Sequence, residues 1–300
     1  MLSGAQKIYR IRWDSDPQYE LLVVGGDRLI VVDNDGSVVW NYIMGENISL
    51  VDIEDIDGDG YDDIVVAGGS KLWVFLEGGN AIRTKTFGDK ITTIGSGDIN
   101  ETGGREIFLA TNGTLFLLDS YLNQLWNRSL PSYAYATIST NVDLDDFDEI
   151  FMGGLGFVML VDGNGSDIWT RNIGGNITTI VDTGNSIVIG GKTDWIYRID
   201  YLGDTLWSNR IYGAPTIIME ANLVDDDSPE YVVAFSDMTV SLIDRNYDEL
   251  LSRNMTVGIM DLGKVDYDGD SYHEVIVALE NNTTLLMDCL LYTSPSPRDR

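Results

Sequence analysis

The sequence predicts an all-β protein made of repeated four-stranded units, and three observations support this prediction. A short β-branched run that follows a polar, mostly acidic anchor residue occurs seven times, at intervals of 37 to 44 residues. Each interval contains four short apolar runs separated by turn residues. Helix signals are few, and the chain of 300 residues has only 6 prolines. Together these features predict a seven-bladed β-propeller of four-stranded antiparallel blades, with the last blade truncated.

The anchors set the positions of the repeats. Each one precedes or begins an apolar run, as in YELLVVGG, DDIVVAGG and HEVIVAL, so we expect a strand to start there. The seven anchors are Glu20, Asp63, Glu106, Glu149, Ser186, Glu230 and Glu274.

The remaining elements follow in the same order in every repeat. A Gly-rich turn leads to a second strand, and a further turn leads to a third strand that carries a tryptophan. A fourth apolar run, such as ISLVDI or ITTIG, connects each repeat to the next. The second strand ends at Asp33, Asp119, Asp162, Asp200, Asp244 or Asp288. The tryptophans are Trp40, Trp126, Trp169 and Trp207, and Arg83 and Leu251 take the equivalent positions in two other repeats.

The repeated tryptophans are predicted to be structural. A single four-stranded sheet cannot cover both of its faces, so each blade must pack against its neighbours. A large flat side chain at one fixed point of each repeat suits that packing. We therefore expect these side chains to dock one blade on the next.

One propeller domain is expected over residues 1–288. The peptide CLLYTSPSPRD at 289–299 matches a translated sequencing adapter, so we expect residues 289–300 to be an artefact tail and Cys289 not to be native. The native chain is then expected to continue beyond this point. The N-terminal run KIYRIR fits either the inner strand of the first blade or the strand that completes the last one.

The charge, the cysteine content and the lengths of the apolar runs limit the functional classes to which the protein can belong. The formal charge is -29, from 48 acidic and 19 basic residues, which excludes nucleic acid as a partner and favours cations. Without Cys289 the chain has no disulfide framework and no thiol nucleophile. The first residues lack the apolar run of a signal peptide, and no run of apolar residues is long enough to span a membrane.

The strongest candidate site is the loop DIDGDGYDD at residues 55–63. Carboxylates at alternating positions would repel one another without a cation between them. Oxygen ligands in an irregular loop suit Ca²⁺ better than Mg²⁺, and the loop offers no His or Cys for zinc or copper. The predicted ligands are the side chains of Asp55, Asp57, Asp59 and Asp63 and the carbonyl of Tyr61.

The loop DYDGDSYHE repeats this pattern, and DINETGGRE carries a weaker version with fewer charges. We expect calcium in the first two loops and regard the third as a possible further site. Two shortened loops, WDSDPQYE and VDLDDFDE, lack the middle of the pattern and are expected to be empty. The second loop contributes Asp266, Asp268, Asp270, Glu274 and the carbonyl of Tyr272. The third offers Asp98, Asn100, Thr102 and Glu106.

These loops resemble the calcium loops of FG-GAP repeats, also called VCBS repeats, the family of the integrin α-subunit propellers. The family motif D-x-D-x-D-G-x-x-D is matched in full by residues 55–63, whereas Ser271 replaces the loop glycine in the last copy. The resemblance extends over nearly all of residues 9–288. It implies a calcium-binding adhesion or recognition propeller whose ion ties the hairpin of a blade.

A second resemblance leaves an enzymatic alternative open. The segments DNDGSVVW, DGNGSDIW and DYLGDTLW are similar to the D-x-x-G-x-x-x-W repeat of pyrroloquinoline-quinone propellers. That likeness implies a dehydrogenase, although the sequence shows no constellation for a quinone pocket. Carboxylate pairs of a polysaccharide-cleaving enzyme would leave no linear motif, so this class also stays open.

Several features favour a non-enzymatic, extracellular module. The single histidine, His273, lies beside Glu274 in a loop, and no nucleophile and base pairing is visible. An excess of N-x-S/T sequons favours a secreted or cell-surface glycoprotein. We therefore predict a calcium-binding recognition or adhesion propeller whose loops bind a protein or glycan. The sequons include those that start at Asn47, Asn112, Asn127, Asn164, Asn176, Asn254, Asn281 and Asn282.

Overall fold

The chain folds into antiparallel β-sheets. The computed structural model describes residues 7–15, 18–79, 81–100, 104–143, 145–192, 195–211, 213–223, 229–267, 269, 271–281 and 283–287. Within these ranges the regular structure consists of 25 strands and one 3₁₀ turn at Glu77–Gly79, with no α-helix. The prediction of an all-β protein is confirmed.

The strands pair with their chain neighbours in antiparallel fashion, in six sheets. The first sheet contains β1 (Lys7–Ile11), β2 (Glu20–Gly25), β3 (Arg28–Val32) and β4 (Val38–Ile43). The second contains β5 (Leu50–Glu54), β6 (Asp63–Gly68), β7 (Lys71–Phe75) and β8 (Ile82–Thr86). The third contains β9 (Thr93–Gly97), β10 (Glu106–Ala110), β11 (Thr114–Leu118) and β12 (Gln124–Ser129).

The later sheets follow the same chain order. The fourth has six strands, namely β13 (Ala134–Thr140), β14 (Glu149–Val161), β15 (Asp167–Asp182), β16 (Ser186–Lys192), β17 (Trp195–Asp200) and β18 (Thr205–Arg210). The fifth contains β19 (Pro215–Ala221), β20 (Glu230–Phe235), β21 (Thr239–Ile243) and β22 (Glu249–Asn254). The sixth contains β23 (Ile259–Val265), β24 (Glu274–Leu279) and β25 (Thr284–Met287).

The structure is a six-bladed β-propeller, so the prediction of seven blades is wrong, while the last sheet has three strands in the described residues. The fourth and fifth repeats share one six-stranded sheet, because β14 and β15 run for 13 and 16 residues without a break. The anchors Glu149 and Ser186 are separated by the shortest interval of the series, 37 residues. So short a repeat leaves no room for a separate loop between the outer strand of one unit and the inner strand of the next. Glycines with positive φ, Gly156 at 84° and Gly175 at 92°, let the two long strands bend.

The position of the N-terminal run is settled by its pairing. β1 lies against β2, with Lys7 opposite Val24 and Ile11 opposite Glu20. Of the two alternatives that the sequence leaves open, KIYRIR therefore forms the first strand of the first sheet.

The chain divides into two compact units, residues 1–172 and 173–300. In each unit the apolar clusters draw side chains from successive sheets, as when Leu22 and Val24 of β2 pack with Ile64 and Val66 of β6. A strand packed on both faces is buried throughout, and all six residues of β6 are buried. The fourth strand of each four-stranded sheet, such as β4, has no buried residue and alternates between exposed and partly buried positions from Val39 onward.

The predicted docking role of the tryptophans is confirmed where their contacts are defined. The indole N–H of Trp126 donates to the carbonyl of Gly163 in the next repeat at 2.8 Å. Trp207 donates to the carbonyl of Arg245 at the same distance. Arg83, which replaces tryptophan in the second repeat, donates to the carbonyl of Ser120. The shared position therefore binds the main-chain carbonyl of the residue after the turn aspartate of the next repeat, whichever side chain occupies it.

Candidate metal centre

The anchor carboxylate closes the first hairpin of its repeat. In six of the seven repeats it accepts a hydrogen bond from the backbone N–H seven residues earlier, and all six anchors are buried. A charge-assisted bond of this kind fixes the hairpin from within. The pairs are Trp13 with Glu20, Ile56 with Asp63, Ile99 with Glu106, Val142 with Glu149, Leu223 with Glu230 and Tyr267 with Glu274. The anchors thus have a structural role that the sequence pattern alone does not reveal.

The loop 55–63 is wound around its first aspartate. The Asp55 carboxylate accepts from the backbone N–H groups of Gly58 at 2.8 Å, Asp59 at 3.1 Å and Gly60 at 2.9 Å. This winding needs positive φ at Gly58 (78°) and Gly60 (95°), which explains the two glycines in the sequence. The loop is therefore formed by local hydrogen bonds, and it brings the carboxylates of Asp57 and Asp63 close to that of Asp55.

Three of the four predicted carboxylates meet there. Ligand oxygens of Asp55, Asp57 and Asp63 all lie within 4.8 Å of one another. Asp59 is outside this group, and its carboxylate instead accepts from the backbone N–H of Tyr61 at 2.9 Å. The group is a suitable size for one cation bound by carboxylate oxygens.

Asp63 is the least satisfied member of the group. Its side chain is 0% exposed, and although Oδ2 accepts from Ile56 at 3.0 Å, Oδ1 has no hydrogen-bond partner. Burial, followed by the charge of Asp57, raises the pKa of Asp63 to about 7. A buried carboxylate oxygen without a donor is costly unless it is protonated or coordinates a cation.

Neighbouring loops of the first unit hold the group from outside. Arg12 donates from its side chain to the carbonyl of Gly60 at 2.9 Å, and its backbone N–H donates to the Asp62 carboxylate at 2.6 Å. Arg105 donates its N–H to the carbonyl of Ile56 at 3.2 Å. The arginines thus bind the rim of the loop, and none of these contacts involves Asp55, Asp57 or Asp63.

The second predicted loop has the same framework at the residues that are described. Asp266 accepts from Gly269 at 2.8 Å and from Ser271 at 3.2 Å, as Asp55 accepts from Gly58 and Gly60. Ser271 has a φ of 77°, so it adopts the conformation that glycine has in the first loop. Glu274 is buried and Tyr272 is partly buried. The predicted ligands Asp268 and Asp270 lie outside the described residues.

The third predicted loop is arranged differently. Glu106 accepts from the backbone N–H groups of Ile99 and Asn100, at 2.9 and 3.2 Å. The N–H of Asp98 donates to the Asp148 carboxylate at 3.3 Å. Thr102 lies outside the described residues, and those that are described bring no group of three ligands together in this loop.

The structure assembles a further group that the sequence interpretation missed. Carboxylate oxygens of Asp143, Asp145 and Glu149 lie within 4.8 Å of one another in the loop VDLDDFDE, which was expected to be empty. Glu149 is buried, and burial together with the charges of Asp143 and Asp145 raises its pKa to about 7. The signal was present in the spacing, since this loop keeps the first, third and anchor acids and is two residues shorter between the last two.

Comparison with known proteins identifies the fold. No protein-family model matches the chain, and no curated protein matches it either. The structure of BBS1N in complex with ARL6DN superposes with a TM-score of 0.72 at 12% identity, over 94% of this chain and 92% of that one. Sqt1 of Chaetomium thermophilum, bound to the N-terminus of the ribosomal protein L10, gives 0.68 at 13% identity, over 90% and 80%. BamB of Moraxella catarrhalis gives 0.53 at 17% identity, over 94% and 98%.

At these identities the likeness establishes the β-propeller fold alone. The residues that the structure describes include no helix of the length and apolarity that a transmembrane helix needs.

Proposed function

We propose that this protein is a non-enzymatic recognition propeller that binds a protein partner and is stabilised by calcium. The observation that carries the proposal is the group of Asp55, Asp57 and Asp63 around a buried carboxylate oxygen that has no hydrogen-bond partner. A divalent cation would complete the coordination of that oxygen and offset the repulsion among three carboxylates.

Calcium is the cation that this set of ligands favours. The candidate ligands are all oxygens, and calcium accepts six to eight of them in irregular geometry at about 2.3–2.6 Å, whereas magnesium requires a near-ideal octahedron. Zinc and copper prefer His or Cys, and the ring of His273 lies against the backbone of Asn222 at 3.1 Å. The backbone carbonyl of Tyr61 could be a further ligand of the calcium ion. Water molecules could supply the remaining oxygen ligands.

The same proposal extends to the loop that begins at Asp266. Its first aspartate accepts the same two backbone hydrogen bonds, and its anchor Glu274 is buried in the same way. We propose a second calcium ion there, with the FG-GAP-like calcium loop as the common element. Loops of this type act as clamps for their hairpins, so the ion is expected to affect stability more than partner specificity.

An extracellular or cell-surface location fits both the metal and the sequons. Sites with few carboxylates bind calcium weakly and are filled at the millimolar concentrations found outside cells. The N-x-S/T sequons provide acceptors for glycans in such a location. We therefore propose an adhesion or recognition role, as the resemblance to integrin α-subunit propellers implies.

Protein binding is supported by the structural neighbours. BBS1N is found in complex with ARL6DN, and one Sqt1 structure contains the N-terminus of the ribosomal protein L10. The formal charge of -29 favours a partner with a basic surface, because complementary charge accelerates encounter and suppresses wrong partners. Connecting loops, which vary most among the repeats, are the expected contact region.

The dehydrogenase alternative receives no support from the tryptophans that suggested it. Trp126 and Trp207 use their indole N–H groups to bind backbone carbonyls of the following repeat. Their recurrence is therefore explained by docking, without a quinone. Reconstitution with pyrroloquinoline quinone and a dye-linked assay on alcohols and sugars tests this alternative directly.

Calcium titration tests the main proposal. Thermal unfolding is followed with EGTA and with calcium in excess, and calcium at about 100 times Kd should stabilise the protein by about 2.7 kcal/mol per site. Asp57→Asn should weaken binding in isothermal titration calorimetry. Asp89→Asn, which changes an exposed acid of the same repeat, should leave it unchanged. A melting temperature that is the same in EGTA and in calcium would contradict the proposal.

A further inference from the structure

A cavity lies in the second unit, between the end of β18 and the face of the fifth sheet. Its volume is about 380 Å³. Ligand pockets in proteins usually have volumes of roughly 300–1,000 Å³, so the cavity is large enough for a small ligand. It contains none of the metal candidates described above, and every residue that lines it belongs to residues 173–300.

The cavity exists because a small residue replaces a large one. Ser241 is the central residue of β21 and pairs with Val233 and Ser252. In the second sheet the same position is Trp73, which pairs with Val66 and Thr84 and is buried in the core. The other repeats carry Ile30, Phe116, Met159, Tyr197 and Leu285 at this position.

The first unit shows how the space is normally filled. Phe116 of β11 lies with its ring centroid 5.1 Å from that of Phe87, which follows the last strand of the preceding sheet. Ile211 holds the place of Phe87 in the second unit, directly after β18, and it lines the cavity. With Ser241 opposite, the two side chains no longer meet, and the gap between successive sheets stays open.

A second departure from the repeat is found at the mouth of the same cavity. Tyr247 has a φ of 72°, at the turn position where Gly36, Gly165 and Gly203 have φ values of 86° to 88°, and Leu122 holds the same position of the third repeat with a φ of 66°. A bulky residue in this region of the Ramachandran plot is uncommon and strained, and such strain is concentrated at functional sites. The ring of Tyr247 lines the cavity and lies 5.2 Å from that of Trp207.

The lining combines two aromatic rings with many hydrogen-bonding groups. The Ser241 hydroxyl lies 3.1 Å from that of Ser252 and 3.4 Å from Oε1 of Glu249, so three polar groups converge on one wall. Burial raises the pKa of Tyr247 to about 12, and its hydroxyl therefore remains a neutral donor at neutral pH. The rings belong to Phe235 and Tyr247.

We propose that this cavity binds a neutral monosaccharide, either free or at the end of a glycan chain. A pyranose presents several hydroxyl groups in a small volume together with an apolar C–H face, and the half-open cavity offers hydroxyls, carboxylates and aromatic rings side by side. Asp237 and Glu249 accept hydrogen bonds from hydroxyl groups, and because Arg210 offsets only one of these two charges, the lining disfavours phosphates and acidic sugars. The inference is independent of the proposed calcium role.

The test uses saturation-transfer NMR and calorimetry on the whole chain with glucose, galactose, mannose, N-acetylglucosamine and glucuronate. At least one neutral sugar should bind, and glucuronate should not. Ser241→Phe restores the side chain type of the other repeats, fills the cavity and should weaken binding at least tenfold without lowering the melting temperature. Glu249→Gln leaves the volume unchanged and should also weaken binding, which keeps the proposal testable if the first variant misfolds.

Two controls complete the design. Ser129→Phe makes the same change at an exposed position outside the cavity and should bind the sugar as the native protein does. Asp63→Asn, which alters the calcium candidate, should also bind it normally, so the two proposals can fail separately. Absence of binding to every neutral sugar, equal binding by Ser241→Phe, or tighter binding of choline than of any sugar would overturn the proposal.

Discussion

The hairpins that open the second and the fifth repeats balance charge in different ways. At residues 55–63 three carboxylates meet around a buried oxygen that has no hydrogen-bond partner. At residues 182–186 the anchor is Ser186, whose hydroxyl accepts from Nε of Arg198 at 2.8 Å. The same guanidinium reaches Oδ1 of Asn185 at 3.3 Å and the carbonyl of Arg245 at 3.2 Å.

The two anchor positions therefore differ in charge: in the second repeat a buried acid lies among other carboxylates, whereas in the fifth repeat a neutral serine binds a guanidinium. Arg198 is 8% exposed and replaces the apolar residues Val31, Val74 and Leu117 of other repeats. The fifth repeat thus carries its cation as part of the chain. Among the described residues of the second repeat no such side chain lies within the acidic group, so we propose that its cation comes from solution.

The largest expected effect is a pH dependence of the unfolding free energy that comes from Asp63 in the hairpin of the second repeat. Because burial raises the pKa of Asp63 to about 7, its contribution is favourable below pH 4 and is lost as the pH rises through 7. In EGTA, the free energy of unfolding of the native protein should fall by roughly 3 kcal/mol relative to Asp63→Asn between pH 4 and pH 8. Urea titration measures this difference.

Calcium should reverse which of the two proteins, the native protein or Asp63→Asn, is the more stable at pH 8. In excess calcium the ionised Asp63 is a ligand, so the native protein should become more stable than Asp63→Asn at pH 8. If the variant stays more stable in calcium, the second repeat has no exchangeable cation and the comparison fails.

Removing the built-in cation of the fifth repeat should have the next largest effect. Arg198→Leu leaves Ser186 and Asn185 without their buried donor, and we expect a loss of about 2 kcal/mol of unfolding free energy in urea. Arg198→Lys keeps the charge but loses the planar guanidinium group. Its unfolding free energy should lie between those of the native protein and Arg198→Leu. Arg253→Leu, at an exposed arginine of the same unit, is the matched control. Equal losses for Arg198→Leu and the control would show that the guanidinium has no special role.

The smallest expected effect concerns the tryptophan hydrogen bond to a backbone carbonyl, which occurs in both units. Trp126→Phe and Trp207→Phe each remove one indole hydrogen bond to a backbone carbonyl and should cost about 1 kcal/mol in both units. Trp195→Phe, at a tryptophan with 39% exposure, provides the reference in the same urea titration. A large cost in one unit and none in the other would mean that the repeats differ in their docking as well as in their loop charges.

Much of the scaffold could be predicted because it rests on local patterns. Strand starts at the anchors, glycine turns and the tryptophan positions depend on residues close in sequence. The number of sheets depends on whether strand pairing continues through β14 and β15, which joins the fourth and fifth repeats into one sheet. The spacing of the sequence repeats does not determine whether this happens. The 37-residue interval between Glu149 and Ser186 was the one available sign.

The candidate sites could be predicted only in part for a related reason. Asp55, Asp57 and Asp63 lie in one short loop, so their meeting follows from spacing. The group at Asp143 was missed because a shorter loop reaches the same geometry, which spacing against a fixed motif does not detect. The cavity at Ser241 becomes visible only when strand register aligns it with Trp73.

The contact between successive repeats has a consequence for how such a chain can evolve. Trp126, Trp207 and Arg83 recognise a main-chain carbonyl of the following repeat, and a main-chain carbonyl is present whatever the sequence. A duplicated or exchanged repeat therefore brings its own docking partner with it. Loop chemistry can diverge after such a duplication, towards a group of carboxylates in one copy and an arginine in another, while the joints between copies remain interchangeable.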